Sequence, residues 1–149
     1  MIALDDGRTP VPQGFTLWLM GPTSSGKTTL AKLLNTRLRD QSVTTLHYDG
    51  DEIRDWFGEN HGFTPADRLR VVTTLVDLAN KATAAGINVI VSALTANEGA
   101  RKLVHEKVCG LVVGYVKCSI EVCAERDPKG LYAMAKSGEI ETLIGINSE

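Results

Sequence analysis

The sequence predicts a three-layer α/β/α fold around a mostly parallel sheet. Apolar, strand-like segments alternate with amphipathic helical patterns in the order β-α-β-α-β-α-β, and a glycine-rich loop joins the first strand to the first helix. Alternation of this kind gives parallel strands with right-handed crossovers and helices on both faces. Ligands then gather at the carboxyl ends of the strands, where we expect the functional residues.

The composition limits the classes of protein to which the chain can belong. Its 149 residues suit one compact domain over 1–149, and the 43% hydrophobic content is ordinary for a globular protein. The net charge of -2 lacks the basic footprint that nucleic acid or an anionic membrane requires, so we expect neither as a partner. Residues 1–14 are no secretory signal, and three cysteines without a C-x-x-C pair argue against disulfides or zinc, so we expect a cytoplasmic protein.

The first strand and the first helix flank a phosphate-binding motif. Residues 15–20 (FTLWLM) form an apolar run, and residues 27–39 carry leucines at helical spacing. The loop between them, GPTSSGKT at 21–28, matches G-x-x-x-x-G-K-[ST] without a mismatch. Its glycines let backbone N–H groups wrap a phosphate beside the helix N-terminus. This context favours a P-loop nucleoside triphosphate hydrolase fold over a glycine turn that merely starts a helix.

The motif also predicts ligands. Lys27 is expected on the β- and γ-phosphates and the Thr28 hydroxyl on Mg²⁺, so ATP and Mg²⁺ are the predicted cofactors. What is done with the phosphate does not follow from this loop. The predicted ATP-binding residues here are Gly21, Pro22, Thr23, Ser24, Ser25, Gly26, Lys27, Thr28 and Thr29.

An acidic pair follows the second predicted strand. Residues 43–48 are rich in β-branched side chains and run into Asp49-Gly50-Asp51. A carboxylate at this sheet edge can orient Mg²⁺ or accept a proton from an attacking hydroxyl. We therefore predict that Asp49 and Asp51 project from a loop beside the P-loop. The alternative is a solvated turn in which Asp51 caps a short helix.

The remaining elements complete the alternation. A capping sequence, TPAD at 64–67, starts a long helix that ends at Gly86. Residues 87–91 and 111–116 are predicted strands, and 97–107 a predicted helix. The long helix is expected to bury a face made of Leu69, Val72, Val76 and Ala79.

A basic segment lies near the end of the chain. Residues 126–132 (RDPKGLY) join cations, a proline and a glycine between two helix-like pieces. Phosphoryl transfer often requires a segment that closes over the site, excludes water and brings in positive charge. An ordinary charged helix-loop-helix is the alternative.

Together these segments resemble the adenylylsulfate kinase family, whose members phosphorylate the 3′-hydroxyl of adenosine 5′-phosphosulfate with ATP. RDPKGLY combined with DGD and the P-loop is far more specific than any of them alone. The matching stretches are collinear: GPTSSGKTTLA at 21–31, DGDEIR at 49–54, GFTPADR at 62–68, INVIVSALT at 87–95, EVCAERDPKGLY at 121–132, and GEI with GI between 138 and 146.

The resemblance implies catalytic roles. Asp51 looks like the general base for the acceptor hydroxyl, while Lys27 is expected to be the catalytic cation that neutralises the γ-phosphate. Asp49 looks like support for the Mg²⁺ site beside Thr28. Thr95 stands where many family members carry a serine, sometimes described as phosphorylated. Direct in-line transfer requires no such intermediate, so we do not assign Thr95 a catalytic role.

The resemblance also implies binding roles. Arg54 and Arg68 look like the cations that hold the phosphosulfate, and Phe63 looks like one face of an aromatic clamp on the adenine. Arg126 and Lys129 look like lid residues, Arg126 over ATP. The implied acceptor-binding residues are Asp49, Arg54, Phe63, Arg68, Ser92, Lys129, Leu143 and Ile144.

The departures from the family pattern lie on the acceptor side. VVTT at 71–74 replaces N-I-R-R, Leu143 replaces the second clamp aromatic of F-T-G-I, and ANE at 96–98 replaces the P-Y or P-H-R that follows the serine. The family's final helix and strand are not found, and we expect a homodimer. Two alternatives stay open: a kinase of another small nucleotide or metabolite hydroxyl, and a nucleotide-binding module without catalysis.

Overall fold

A computed structural model describes residues 13–58, 62–143 and 146 of the protein. Within these residues the chain forms four strands and six helices. Their bounds are β1 Thr16–Met20, α1 Lys27–Asp40, β2 Thr45–Asp49, α2 Gly50–Trp56, α3 Pro65–Ala84, β3 Asn88–Ser92, α4 Glu98–Lys107, β4 Leu111–Tyr115, α5 Ile120–Arg126 and α6 Leu131–Ser137.

The described strands form one parallel sheet in the order β2-β3-β1-β4. Strand β1 is central, with Leu17 opposite Ile90 of β3 on one side and Val112 of β4 on the other. Since the strands point the same way, the carboxyl ends of β1, β2 and β3 meet at one edge. The predicted parallel α/β arrangement is confirmed.

Helices cover both faces of the sheet because its strands alternate their side chains between two cores. Trp18 and Val91 are buried in the larger core, where α3 and α4 pack. Leu19 and Ile90 face the opposite side, against Ala31 of α1. Each such aliphatic side chain stabilises the fold by roughly 1.5–3 kcal/mol. The sheet is therefore the middle layer of three, as predicted.

The long helix α3 begins with the predicted capping box. The Thr64 hydroxyl accepts from the Asp67 N–H at 3.2 Å, and the Asp67 carboxylate accepts from the Thr64 N–H at 3.1 Å. The predicted place of Leu69 on the buried face is wrong, since its side chain is 40% exposed. Four-residue steps back from Val76 and Val72 lead to Arg68, which takes the buried position in the first turn.

A short helix, α2, begins directly after β2; it was expected only as the alternative in which Asp51 caps it. Asp49 is its N-cap and accepts from the Asp51 N–H at 2.9 Å, and Asp51 lies in its first turn. The prediction that both carboxylates project from a loop is therefore wrong, and the capping residue is Asp49. Seven residues give too few turns for a periodic pattern, and burial of Ile53 against α3 is a tertiary effect.

Strand β4 forms one edge of the described sheet. Its Val112, Val113 and Tyr115 side chains are exposed. None of the helices in the described ranges is long and apolar enough to cross a lipid bilayer.

Candidate functional site

The P-loop adopts backbone conformations that suit glycine. Gly21 has φ 144°, and a Cβ there would lie 2.5 Å from the Val116 carbonyl oxygen. Gly26, the N-cap of α1, has φ 99°, and Ser24 has a left-handed φ of 65°. In the described part of the chain, the buried hydroxyls of Ser24 and Ser25 have no hydrogen-bond partner. Glycine backbone, helix N-terminus and unpaired hydroxyls together form a cradle that fits a phosphate group.

Lys27 reaches back over this loop. Its ammonium donates to the carbonyl oxygens of Gly21 at 2.9 Å and Pro22 at 2.6 Å. Burial lowers the pKa of Lys27 from 10.5 to about 8, although the nearby Asp51 carboxylate acts in the opposite direction. The structure therefore holds a desolvated cation at the mouth of the cradle, where its charge would stabilise a bound anion.

A hydrogen-bonded network links the P-loop to the ends of β2 and β3. The Asp49 carboxylate accepts from the Thr28 hydroxyl and from the Ser92 hydroxyl, both at 2.6 Å. His47 Nε2 lies 2.8 Å from the Ser92 oxygen. Burial alone would raise the pKa of Asp49, but hydrogen bonds from Ser92, Thr28 and the Asp51 N–H hold it below its usual value. Asp49 is thus an anion at neutral pH.

The Thr28 and Asp49 oxygens suit Mg²⁺. Mg²⁺ binds oxygen ligands, keeps several waters and is usually held by one or two protein groups together with substrate phosphates. Within the described ranges no group of three or more His, Cys, Asp and Glu side chains could hold a metal alone. A hydroxyl and an ionised carboxylate beside a phosphate cradle therefore fit Mg²⁺ that arrives with a nucleotide.

Most predicted site residues line one cleft of about 670 Å³ at this sheet edge. Gly21, Pro22 and Asp49 are not in its lining, and Ile144 lies outside the described residues. The predicted residues in the lining are Thr23, Ser24, Ser25, Gly26, Lys27, Thr28, Thr29, Asp51, Arg54, Phe63, Arg68, Ser92, Arg126, Lys129 and Leu143.

The basic segment forms one wall of the cleft. Lys129 makes an ion pair with Asp51, and both side chains are about half exposed. Arg126 ends α5 and also lines the cleft. The Asp127 carboxylate accepts from the backbone N–H groups of Tyr132 and Ala133, both at 3.1 Å, and so holds the loop to the first turn of α6. The segment is a helix-loop-helix, and it is positioned over the P-loop.

The acceptor-side residues form a second wall. The Arg54 guanidinium lies 4.5 Å from the centre of the Phe63 ring and donates to the Gly62 carbonyl. Arg68 is only 6% exposed and donates to the carbonyls of Phe63 and Thr142. No partner for Arg68 Nη1 or Arg54 Nε is found among the described residues. Both arginines thus hold the wall together, and each has one buried nitrogen without a hydrogen-bond partner among the described residues.

Two contacts of the site were not predicted from the sequence. The Tyr132 hydroxyl donates to the Thr23 carbonyl of the P-loop at 2.8 Å, a pairing between positions too far apart for a local pattern to reveal. Buried Thr95 accepts from Trp18 Nε1 at 2.9 Å and is not in the cleft lining. This buried hydrogen bond gives Thr95 a structural role. His47, which contacts Ser92, was also not predicted, because it belongs to no sequence motif.

Comparison with known proteins identifies relatives over most of the chain. The family model described as adenylylsulphate kinase matches residues 13–149. Adenylyl-sulfate kinase of Vibrio vulnificus is 36% identical over 135 residues, which are 89% of this chain and 65% of that protein. Probable adenylyl-sulfate kinase of Archaeoglobus fulgidus is 35% identical over 135 residues, 91% of this chain and 87% of that protein. The chain thus spans slightly less than two thirds of the bacterial relative.

Solved structures of kinases also match the chain. The Mycobacterium tuberculosis APS kinase CysC in complex with AMPPNP and APS matches with a TM-score of 0.83 and 32% identity, over 92% of this chain and 82% of that one. A gluconokinase from Sinorhizobium meliloti matches at 18% identity with a TM-score of 0.58, over 92% and 79% of the two chains, and supports the fold alone. The predicted P-loop kinase fold and the resemblance drawn from the sequence are confirmed.

Proposed function

The chain belongs to the adenylylsulphate kinase family, and we propose that it transfers the γ-phosphate of ATP to the 3′-hydroxyl of adenosine 5′-phosphosulfate, a step of sulfate activation. One observation carries the proposal: the P-loop, the Asp51 carboxylate and the Arg54–Phe63 pair share a single cleft. A donor, a base and an acceptor wall are the parts that phosphoryl transfer requires.

The donor half binds ATP. The P-loop amides and the N-terminus of α1 surround the phosphates, and Lys27 leaves its loop carbonyls for the β- and γ-phosphate oxygens. Thr28 and Asp49 would hold Mg²⁺, which supplies positive charge to the phosphates when bound. Arg126, which also lines the cleft, adds positive charge for the nucleotide. These groups act by positioning and by stabilising charge.

The acceptor half supplies the base. Asp51 accepts the proton of the acceptor hydroxyl while that oxygen bonds to the γ-phosphorus and the bond to the β-phosphate oxygen breaks, leaving ADP. Lys129 releases Asp51 and turns to the transferring phosphate. The Arg54 and Arg68 guanidinium groups, which line the cleft, bind the acceptor's phosphosulfate, and Phe63 stacks on its adenine.

The proposal is tested by coupled measurement of ADP release with ATP, Mg²⁺ and adenosine 5′-phosphosulfate. We expect release that depends on the acceptor and that Asp51→Asn lowers in kcat by about 10²–10⁴-fold, the range of general-base catalysis. Asp55→Asn, an exposed acid on the same helix, is the matched control and should retain wild-type turnover. Near-normal turnover in Asp51→Asn would contradict the base assignment.

A second candidate is a kinase for another small nucleotide or metabolite hydroxyl. It is favoured by the apolar acceptor wall, where Val71 and Leu143 line the cleft and are 4% and 2% exposed. These side chains give neither hydrogen bonds nor aromatic stacking to a ligand. ADP release with another hydroxyl compound, together with none from adenosine 5′-phosphosulfate, would support this candidate over the first.

We also propose a compartment and an oligomeric state for the protein. We expect a cytoplasmic homodimer, and residues 1–149 as one domain. Light scattering of the purified protein at micromolar concentration checks the assembly, with twice the mass of 16.1 kDa as the expected result.

A further inference from the structure

A tyrosine outside the cleft lining contacts the phosphate-binding loop. Tyr132, in the first turn of α6, is 1% exposed, and its hydroxyl donates to the Thr23 carbonyl at 2.8 Å. Burial raises the pKa of Tyr132 to about 12, so the hydroxyl keeps its proton and remains a donor throughout the neutral range. The bond joins the basic segment directly to the P-loop.

The bonded carbonyl belongs to a peptide with a special role. A trans peptide is planar, and its C=O and N–H point in opposite directions. Since the Thr23 carbonyl points to Tyr132, the Ser24 N–H of the same peptide points the opposite way, and Ser24 itself lines the cleft. Ser24 also holds a left-handed φ of 65°, which a residue other than glycine rarely adopts without support.

The tyrosine itself is held firmly. Its backbone N–H donates to the Asp127 carboxylate, and its ring packs in a cluster with Cys123 and Leu143. Lys129, three residues earlier, contacts Asp51. The same short segment therefore contacts both the donor loop and the acceptor-side carboxylate.

We propose that Tyr132 is a positioning residue for the donor nucleotide. Its hydroxyl fixes the Thr23–Ser24 peptide so that the Ser24 N–H faces the ATP phosphates, and it ties the basic segment to the P-loop. The inference rests on the proposed function only in that the P-loop binds ATP; it is independent of the acceptor's identity.

The test is Tyr132→Phe, which removes one hydroxyl and keeps the ring. Calorimetric titration with ATP and Mg²⁺ should show a Kd about three- to tenfold higher, the loss expected from one hydrogen bond. In turnover assays the KM for ATP should rise by a similar factor while the KM for the acceptor stays the same. Tyr115→Phe, the same change on an exposed edge-strand tyrosine, is the matched control and should alter neither.

Each result decides the inference. Amide hydrogen exchange at residues 23–25 should be faster in Tyr132→Phe, and this result with a raised KM for ATP alone supports the inference. An unchanged Kd for ATP overturns it, as does an equal rise in both KM values with a lowered Tm, since that pattern indicates general loosening. A wild-type protein that binds ATP but does not phosphorylate adenosine 5′-phosphosulfate removes the proposed acceptor, and the titrations still decide the role of Tyr132.

Discussion

The donor and acceptor halves of the cleft are built in different ways. Most of the proposed donor half is one contiguous stretch, residues 21–28, which presents backbone amides, a helix N-terminus and Lys27; Asp49 and Arg126 come from elsewhere in the chain. The acceptor half collects single side chains from α2, the segment before α3, α3 itself and the region after α6, such as Arg54, Phe63 and Leu143. The proposed donor site therefore depends mainly on neighbouring residues, whereas the proposed acceptor site depends on residues from separate elements.

The largest expected effect comes from removing the donor cation. Lys27→Ala should reduce kcat/KM for ATP by about 10²–10³-fold, because the cleft loses the cation proposed to contact the β- and γ-phosphates. Binding of the acceptor, measured by titration without ATP, should remain. Lys32→Ala, an exposed lysine of the same helix, is the control. An equal loss of affinity for ATP and for the acceptor would contradict the separation of the donor half from the acceptor half.

The next largest effect is on the acceptor wall. Phe63→Leu keeps an apolar side chain but removes an aromatic face, and we expect the KM for the acceptor to rise by about 5- to 100-fold, the range of one lost base stack. The KM for ATP should stay within about twofold. Phe57→Leu removes the other phenylalanine that packs under an arginine, Arg70, and Phe57 is not in the cleft lining. A similar rise in this control would mean that Phe63 acts through packing.

A smaller effect follows from the pKa of Lys27. Burial lowers that pKa to about 8, so the free protein loses the Lys27 proton as the pH rises through 8. If bound phosphate keeps the lysine charged, the affinity for ATP falls by up to about tenfold per pH unit above 8, and binding takes up a proton there. Calorimetry in buffers of different ionisation enthalpy measures this uptake. Lys27→Arg remains charged over this range and should show no such dependence.

The smallest effect on activity is expected at Thr95. Thr95→Val leaves the buried Trp18 Nε1–H without its partner and should lower the free energy of unfolding by about 1–3 kcal/mol. Turnover at a temperature where the variant is folded should stay near wild type, because Thr95 is not in the cleft lining. Thr95→Ser keeps the hydroxyl and should restore stability. Loss of turnover in Thr95→Val without loss of stability would indicate a catalytic role.

Much of the fold could be predicted because its signals are local. The strand-loop-helix unit around the P-loop, the capping box at Thr64 and the alternation of elements each depend on a few neighbouring residues. The errors lie where tertiary packing overrides local pattern. Helix α2 is too short to show a period, and Arg68 rather than Leu69 occupies the buried side of α3. The side chain of Arg68 is tolerated there because carbonyls of Phe63 and Thr142 accept its N–H groups.

By itself the sequence determined the phosphate-binding loop, the order of the elements and the resemblance to one kinase family, since contiguous residues carry all three. Only the tertiary structure decided how the distant parts meet. It paired Lys129 with Asp51, placed Ser92 and Thr28 on the same Asp49 oxygen, and directed the Tyr132 hydroxyl to the Thr23 carbonyl. These contacts join residues 21 to 109 positions apart, and no local pattern encodes a hydrogen bond whose two partners are brought together only by packing around the sheet.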